Sequence, residues 1–374
     1  MSGPLLLAVE SSCDETGIAL VEDGRRIHAN VVASQVALHA PTGGIVPEVA
    51  ARAHLRWIVP ALDEALATAG VTPRDVDAVA VTYGPGLAGS LLVGINFAKA
   101  LAWAHGKPLV PVNHLEGHVY AGWLLDPGEA DRDLPPFPLV ALVVSGGHTF
   151  LVEMRDHLAY RLLGETVDDA AGEAFDKAGR LLGSTVDDAA GEAFDKVGRL
   201  LGLGYPGGPA ISRAAEAATA RDRVFPRAWL GDSYDLSFSG LKTAARRIIA
   251  RERVDHGLPE DEREGGTLPE AVVAELAWGF QDAVVDVLAT KTLRAAGATG
   301  AHGIVLGGGV AANAELRARI AEGAAARGLA MVIPRPGLCT DNGAMIGAAG
   351  ARRYEAGVRA GLDLDARPSL PLAR

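Results

Sequence analysis

Two histidines four positions apart, His114 and His118 in Asn113-His114-Leu115-Glu116-Gly117-His118, fall on one face of a helical turn and can share a metal ion. The same spacing occurs on helix faces that only pack or meet solvent, so spacing alone leaves both readings open. Residues 108–112 read as a buried strand, which sets the imidazoles at a strand's C-terminal end, where open α/β sheets bind ligands. The acid stands two positions after the first histidine, so the His-Glu-x-x-His pattern of zinc proteases is absent.

A second polar segment, Glu10-Ser11-Ser12-Cys13-Asp14-Glu15-Thr16-Gly17, separates apolar runs at 5–9 and 17–21. A polar turn between paired strands offers N–H groups and hydroxyls to a phosphate, and its carboxylates can hold a cation. Ser145-Gly146-Gly147-His148-Thr149 repeats the arrangement between strands at 139–144 and 150–154. Further on, a buried strand at 303–306 runs into Gly307-Gly308-Gly309-Val310-Ala311-Ala312-Asn313 and a helix through 327. A glycine turn opening a helix lets backbone amides approach a phosphate or ribose, although such turns also serve helix–strand packing.

The elements that must carry these turns follow from periodicity. Glu22-Asp23-Gly24 is a hairpin turn into a third strand at 27–32, and Pro47 opens a helix capped by Gly70, with a kink expected at Pro60. A strand at 76–81 and a small-residue helix at 88–105 complete β-β-β-α-β-α-β, and the pattern restarts near 139. This predicts an α/β chain of two lobes with a duplicated βββαβα core, the two-lobed arrangement of the actin, sugar-kinase and Hsp70-like superfamily. The first lobe is expected over 1–135 and the second over 136–343, with a helix near 344–360 returning to the first. Fold alone gives no reaction.

The 374 residues, 49% hydrophobic, are enough for two cores. No apolar run approaches the roughly 20 residues needed to cross a bilayer, and 4–9 is too short for a leader, so a cytoplasmic protein with no membrane partner is expected. Two cysteines, Cys13 and Cys339, suit a reducing compartment and read as small packing residues. Lys plus Arg total 35 against 46 Asp plus Glu, a net charge of −11, which opposes unaided binding to nucleic acid. Lys242, Arg246, Arg247 and Arg251 form a basic stripe that suits either phosphates or a solvated helix face, and 251–267 reads as a mobile loop.

Residues 165–183 (ETVDDAAGEAFDKAGRLLG) and 184–202 (STVDDAAGEAFDKVGRLLG) differ only at Glu165/Ser184 and Ala178/Val197. Two units do not make a solenoid, so one copy is redundant. The second runs directly into Leu203-Gly204-Tyr205-Pro206-Gly207-Gly208-Pro209, which favours Asp195 over Asp176 as the site residue, whereas the strand at 160–163 joins the first. The surplus helix is expected to stack outside the lobe or bulge from it.

In chain order, Glu10-Ser11-Ser12-Cys13-Asp14-Glu15-Thr16, Gly43-Gly44-Ile45-Val46-Pro47-Glu48, Gly84-Pro85-Gly86-Leu87, His114-Leu115-Glu116-Gly117-His118, Val144-Ser145-Gly146-Gly147-His148-Thr149, Ser237-Phe238-Ser239-Gly240-Leu241-Lys242-Thr243, Gly308-Gly309-Val310-Ala311-Ala312-Asn313 and Cys339-Thr340-Asp341-Asn342-Gly343-Ala344 form a set. Nearly end to end, it resembles the bacterial tRNA adenosine threonylcarbamoyltransferase family, once described as O-sialoglycoprotein endopeptidases. The resemblance implies that His114, His118 and Asp341 bind one divalent metal, iron first, with zinc or magnesium as alternatives. The imidazoles would come from one lobe and the carboxylate from the other. It implies that Val144, Ser145, Gly146, Gly147 and His148 form the substrate-binding turn and that Asp195, Gly208 and Asn313 hold an adenylate. The implied reaction moves threonylcarbamoyl from threonylcarbamoyl-AMP to the exocyclic amine of the adenine just 3′ of the anticodon, in tRNAs reading codons that begin with A, and releases AMP. Asp14 or Glu15 is then the candidate base or orienter for the amine. Implied partners are tRNA, a smaller paralogous subunit and a P-loop ATPase. Two features depart from the family pattern: the doubled helix, and Ser212 where many relatives carry aspartate. A small-molecule kinase of the same superfamily would not need the histidine pair, and a non-catalytic scaffold subunit would lack the metal residues; a metalloprotease would need a glutamate next to the first histidine, which this motif lacks.

Overall fold

A computed structural model describes residues 3–42, 45–167 and 189–373. Its first sheet comprises β1 (Leu5–Glu10), β2 (Glu15–Glu22), β3 (Arg26–Ser34), β4 (Ala78–Gly84) and β5 (Leu109–Asn113), in the order β3-β2-β1-β4-β5. The second comprises β6 (Leu139–Val144), β7 (Thr149–Asp156), β8 (Ala159–Glu165), β9 (Gly303–Gly307) and β10 (Ala330–Val332), in the order β8-β7-β6-β9-β10. Pairing is repeated as well as order: β1 and β6 each run antiparallel to the next strand and parallel to β4 and β9 respectively. The hairpin turn expected at 22–24 is present, with Asp23 and Gly24 both at positive φ.

Strand residues alternate between two buried faces. Leu7 and Val9 point to an outer core covered by α1 (Pro47–Ala69) and α2 (Ala88–His105), through Ile58, Leu62, Leu91 and Ile95. Pro47 sits at the start of α1 and Gly70 closes it in the left-handed region; the helix continues through Pro60. Leu6 and Ala8 point the other way, into a middle core shared with Ala141 and Val143 of the second sheet. That middle layer holds the short α3 (His114–Tyr120). Beyond the second sheet, Val140 and Leu142 meet α4 (Ala190–Leu200), α5 (Gly207–Glu216), α6 (Ser239–Asp255), α7 (Glu270–Thr299) and α8 (Ala314–Ala325). The last helix, α9 (Gly343–Glu355), returns to the middle layer through Met345, Ile346 and Ala349.

Two local expectations change. The segment 251–267 begins inside α6, and the rest wraps the buried Arg253 guanidinium, which donates to the carbonyls of Pro259, Gly265 and Gly266. The glycine run after β9 opens a 3₁₀ turn (Gly309–Ala312) rather than an α-helix, and Asn313 then caps α8. No helix among the described residues is long and apolar enough to cross a membrane.

Candidate functional site

β5 hands over to α3 at Asn113, whose side-chain oxygen accepts from Leu115 N at 2.8 Å and caps the new helix. The turn that follows stacks the two imidazoles edge to face, with centroids 4.7 Å apart. Asp341 reaches them from the start of α9: its Oδ1 lies 3.6 Å from His114 Nε2 and 3.2 Å from His118 Nε2. Next to it, Asn342 caps α9 by accepting from Met345 N at 3.0 Å and donates to Thr340 O at 2.8 Å, which fixes the chain that carries the carboxylate. One ligand atom from each of the three residues lies within 4.8 Å of the others. The carboxylate does not come from a remote lobe, because α9 packs in the middle layer against α3 and the first sheet.

The chemistry of this trio fits a cation. Apart from the approach to Asp341, neither buried ring nitrogen of His118 has a hydrogen-bond partner among the described residues, an arrangement that costs about 1–3 kcal/mol unless something else binds there. His114 Nδ1 lies 3.1 Å from Glu10 Oε2 and 3.1 Å from Ser12 Oγ, leaving Nε2 turned toward Asp341. A carboxylate behind a ligating imidazole fixes its tautomer and raises its basicity. Glu10 is fully buried and also accepts from Thr82 Oγ1 at 2.6 Å. Sequence reasoning placed Glu10 in a polar motif without a role; its signal is an acid ending an otherwise apolar strand. Burial opposes the charge on Asp341, yet His114 and His118 pull its carboxyl down to about 2. Two imidazoles and one carboxylate leave positions open for substrate oxygens.

The turn Val144 to His148 joins β6 to β7 and closes on itself, Ser145 N donating to His148 O at 2.8 Å and His148 N to Ser145 Oγ at 3.0 Å. Burial, reinforced by His114 and His118, pushes the His148 imidazole down to about 4, so it faces the trio as a neutral ring. Gly191 N of α4 holds Ser145 O at 3.2 Å. On the other side Gly308, at φ +86, lies so close that a Cβ would stand 2.4 Å from Val144 O.

Asp195 on α4 accepts from Gly207 N at 2.6 Å and so sits at the mouth of α5 beside Gly208. Asn313 Nδ2 donates to Ser212 Oγ at 2.9 Å and to Gln281 Oε1 at 2.8 Å, so Ser212 belongs to a neutral polar cluster with Asn313 and Gln281. Asp14 is buried in the turn between β1 and β2, and Glu15 starts β2. Burial, then Asp14 and Asp341, raises Glu15 to about 10. The Tyr205 hydroxyl is pushed up by burial and then by Asp14, Asp195 and Glu15, which brings the glycine loop of the second half against this turn. Tyr205 was not singled out from sequence, nor was His54, which braces the turn through Thr16 Oγ1 (2.7 Å) and Cys13 O (3.0 Å).

A family model described as tRNA N6-adenosine threonylcarbamoyltransferase matches residues 26–184 and again 180–348. Proteins of that name from Thermomicrobium roseum and Moorella thermoacetica are 53% and 50% identical, each over 98% of this chain and 97% of the relative.

The chain belongs to the tRNA N6-adenosine threonylcarbamoyltransferase family.

Transfer of a threonylcarbamoyl group to tRNA is accordingly its activity, and neither the kinase nor the scaffold alternative is favoured. Among solved structures, HypF from T. kodakarensis aligns with a TM-score of 0.56 at 16% identity, over 96% of this chain and 49% of HypF; a phosphate- and nucleotide-bound HypF gives 0.57 at 15%, over 94% and 46%. At that identity the likeness shows a shared fold alone.

The two family matches meet inside the tandem repeat, and the geometry there draws on both copies. Thr166 N and Oγ1, from the opening of the first, donate to Thr149 O at 3.0 and 3.2 Å, and Val167 N donates to Leu236 O at 2.9 Å. Ala190 N, from the second, donates to Thr149 Oγ1 at 3.0 Å. The first copy thus closes the strand and the second supplies the helix that carries Asp195. Asp176 lies outside the described residues, as does the expected surplus helix.

Proposed function

We propose that this transferase takes its group from threonylcarbamoyl-AMP and delivers it to the exocyclic amine of the adenine 3′ of the anticodon, in tRNAs reading codons that begin with A, with release of AMP. The observation that supports this reading best is the convergence of His114, His118 and Asp341 beside three glycine-bearing turns. These three residues would hold a divalent metal, for which the family resemblance favours iron. When bound, the cation supplies Lewis acidity to carbonyl or phosphate oxygens of the donor.

The remaining work falls to the chain's own groups. In the turn of Val144, Ser145, Gly146, Gly147 and His148, the N–H groups of Ser145 and His148 hold the turn closed and those of Gly146 and Gly147 take the acyl-phosphate part, where Gly146 lets a ligand approach the backbone. Asp195, Gly208 and Asn313 hold the adenylate, Asp195 keeping the start of α5 in register while Asn313, its amide donating to Ser212 and Gln281, fixes the turn after β9 beside it. Of the two carboxyls that follow β1, Asp14 is the one assigned to accept a hydrogen bond from the attacking amine and orient its lone pair, with Glu15, raised by burial, beside it. A smaller paralogous subunit and a P-loop ATPase are the proposed protein partners, and the cytoplasm the proposed location.

Reconstitution with threonylcarbamoyl-AMP, unmodified tRNA and the partner proteins tests the reading. Wild type is expected to form modified adenosine, and Asp14→Asn to lose about 100-fold in rate with little change in donor KM. Transfer at the wild-type rate by His114→Ala would remove the trio from the reaction.

A further inference from the structure

We infer that the Glu116–Arg353 ion pair is the strut that sets the histidine pair at its working distance from Asp341. The inference rests on the reading of that trio as metal ligands and assigns positioning residues to it. Glu116 lies between the two histidines on α3 but projects to the opposite side of the turn, two positions from each. It is 3% exposed, and its Oε2 accepts from Arg353 Nε, near the end of α9, at 2.5 Å. The start of α9 is the segment that carries Asp341.

Among the contacts between α3 and α9, two bear on how the ligands are set. At one, Gly117 abuts α9 so closely that a Cβ would stand 2.8 Å from Ile346 Cδ1 and 3.1 Å from Met345 Cγ. That contact sets how near the helices lie and, being apolar, has no direction of its own. At the other, the charge-assisted bond from Arg353 is directional and opposes sliding and rotation. Stability is a poor account of such a pair, since buried ion pairs often do no better than apolar residues of similar volume. A helix of seven residues cannot by itself hold His114 and His118 in register, so the constraint comes from its neighbours, among which α9 makes the most extensive contact. Nothing in the pair touches the reacting atoms, and its effect passes through the imidazoles.

Metal-free protein titrated with Co²⁺ alone, followed by visible absorption and by thermal unfolding, separates positioning from plain structural support. Each single change leaves a buried charge unpaired, so the doubly neutral variant Glu116→Gln/Arg353→Met carries the test, with both singles alongside. Wild type is expected to bind one Co²⁺, and His118→Ala to bind none. The double variant should bind Co²⁺ about 10- to 100-fold more weakly and with a changed visible spectrum. Folded single variants should each show most of that loss, because either change breaks the same strut. Wild-type affinity and spectrum in the double variant, whatever its melting temperature, would overturn the inference while leaving the ligand reading intact. Absence of Co²⁺ binding by wild type would bring down the ligand reading and the strut with it.

Discussion

At the scale of residues, the site is a line of charge: Glu10 behind His114, His114 toward Asp341, and His118 closing the group. This has a consequence for pH. Burial works against a charge on His114, but Asp341 and Glu10 overcome it and raise the imidazole to about 9. A folded-state value above the unfolded one stabilises the protein fully below the unfolded value of about 6.5, and the contribution disappears as pH rises through about 9. The melting temperature of metal-free protein is expected to fall between pH 7 and 9.5, and Glu10→Gln to flatten that fall. Co²⁺ affinity should rise over the same interval, because binding must displace the proton. The histidine pair was legible in sequence because one helical turn contains it. Asp341 was reached only through the family resemblance, and Glu10 and Tyr205 were missed, because their nearness depends on sheet register and on two distant turns meeting.

Elements explain which parts of the reading had to wait for coordinates. Strands β1 to β9 were legible from alternation and turn chemistry, down to the Asp23-Gly24 hairpin, whereas the short β10 and the order of strands within each sheet were not. The duplicated segment was not, since two nearly identical copies give no local signal for the choice. The contacts of Thr149 with Thr166 and with Ala190 make a composite unit, so excising residues 168–186 would join Val167 to Asp187 and restore a single ETVDDAAGEAFDKVGRLLG. That deletion should fold with an unchanged melting temperature and keep the transfer rate within about twofold, since loop length alone changes stability by only about 0.6 kcal/mol per doubling. Loss of activity would show that the surplus residues contribute to the site. Gly308 is the opposite case. At φ +86, with Val144 O close to where its Cβ would be, Gly308→Ala should cost about 1–3 kcal/mol in thermal unfolding and, if the turn from Val144 to His148 binds the donor as proposed, raise donor KM by shifting it.

Over the whole molecule, the two matching sheets enclose a middle layer that carries α3 and α9, and the remaining long helices cover the outer faces. The acidic total of −11 makes the capture of tRNA a question of where positive charge is concentrated. Arg246, Arg247 and Arg251 are exposed on α6, but Arg246 shares a cavity of about 310 Å³ with Glu260, Asp261, Glu262 and Glu264, and Arg251 lies 3.8 Å from Asp255. Such neighbours lower the potential that a phosphate would feel, so the isolated chain is expected to bind tRNA weakly at physiological salt and more tightly with the proposed protein partners present. If α6 touches the backbone, Arg247→Glu/Arg251→Glu should weaken binding and make the slope of log affinity against log salt shallower by about 1.5, as the loss of two phosphate contacts requires. Glu260→Gln/Glu262→Gln should shift affinity the other way by strengthening the same face. Fluorescence anisotropy of labelled tRNA over a salt series measures both. A slope that neither pair changes would take the RNA path off α6, whereas opposite shifts in the two variants would make this helix the point where an acidic protein concentrates the positive charge its substrate needs.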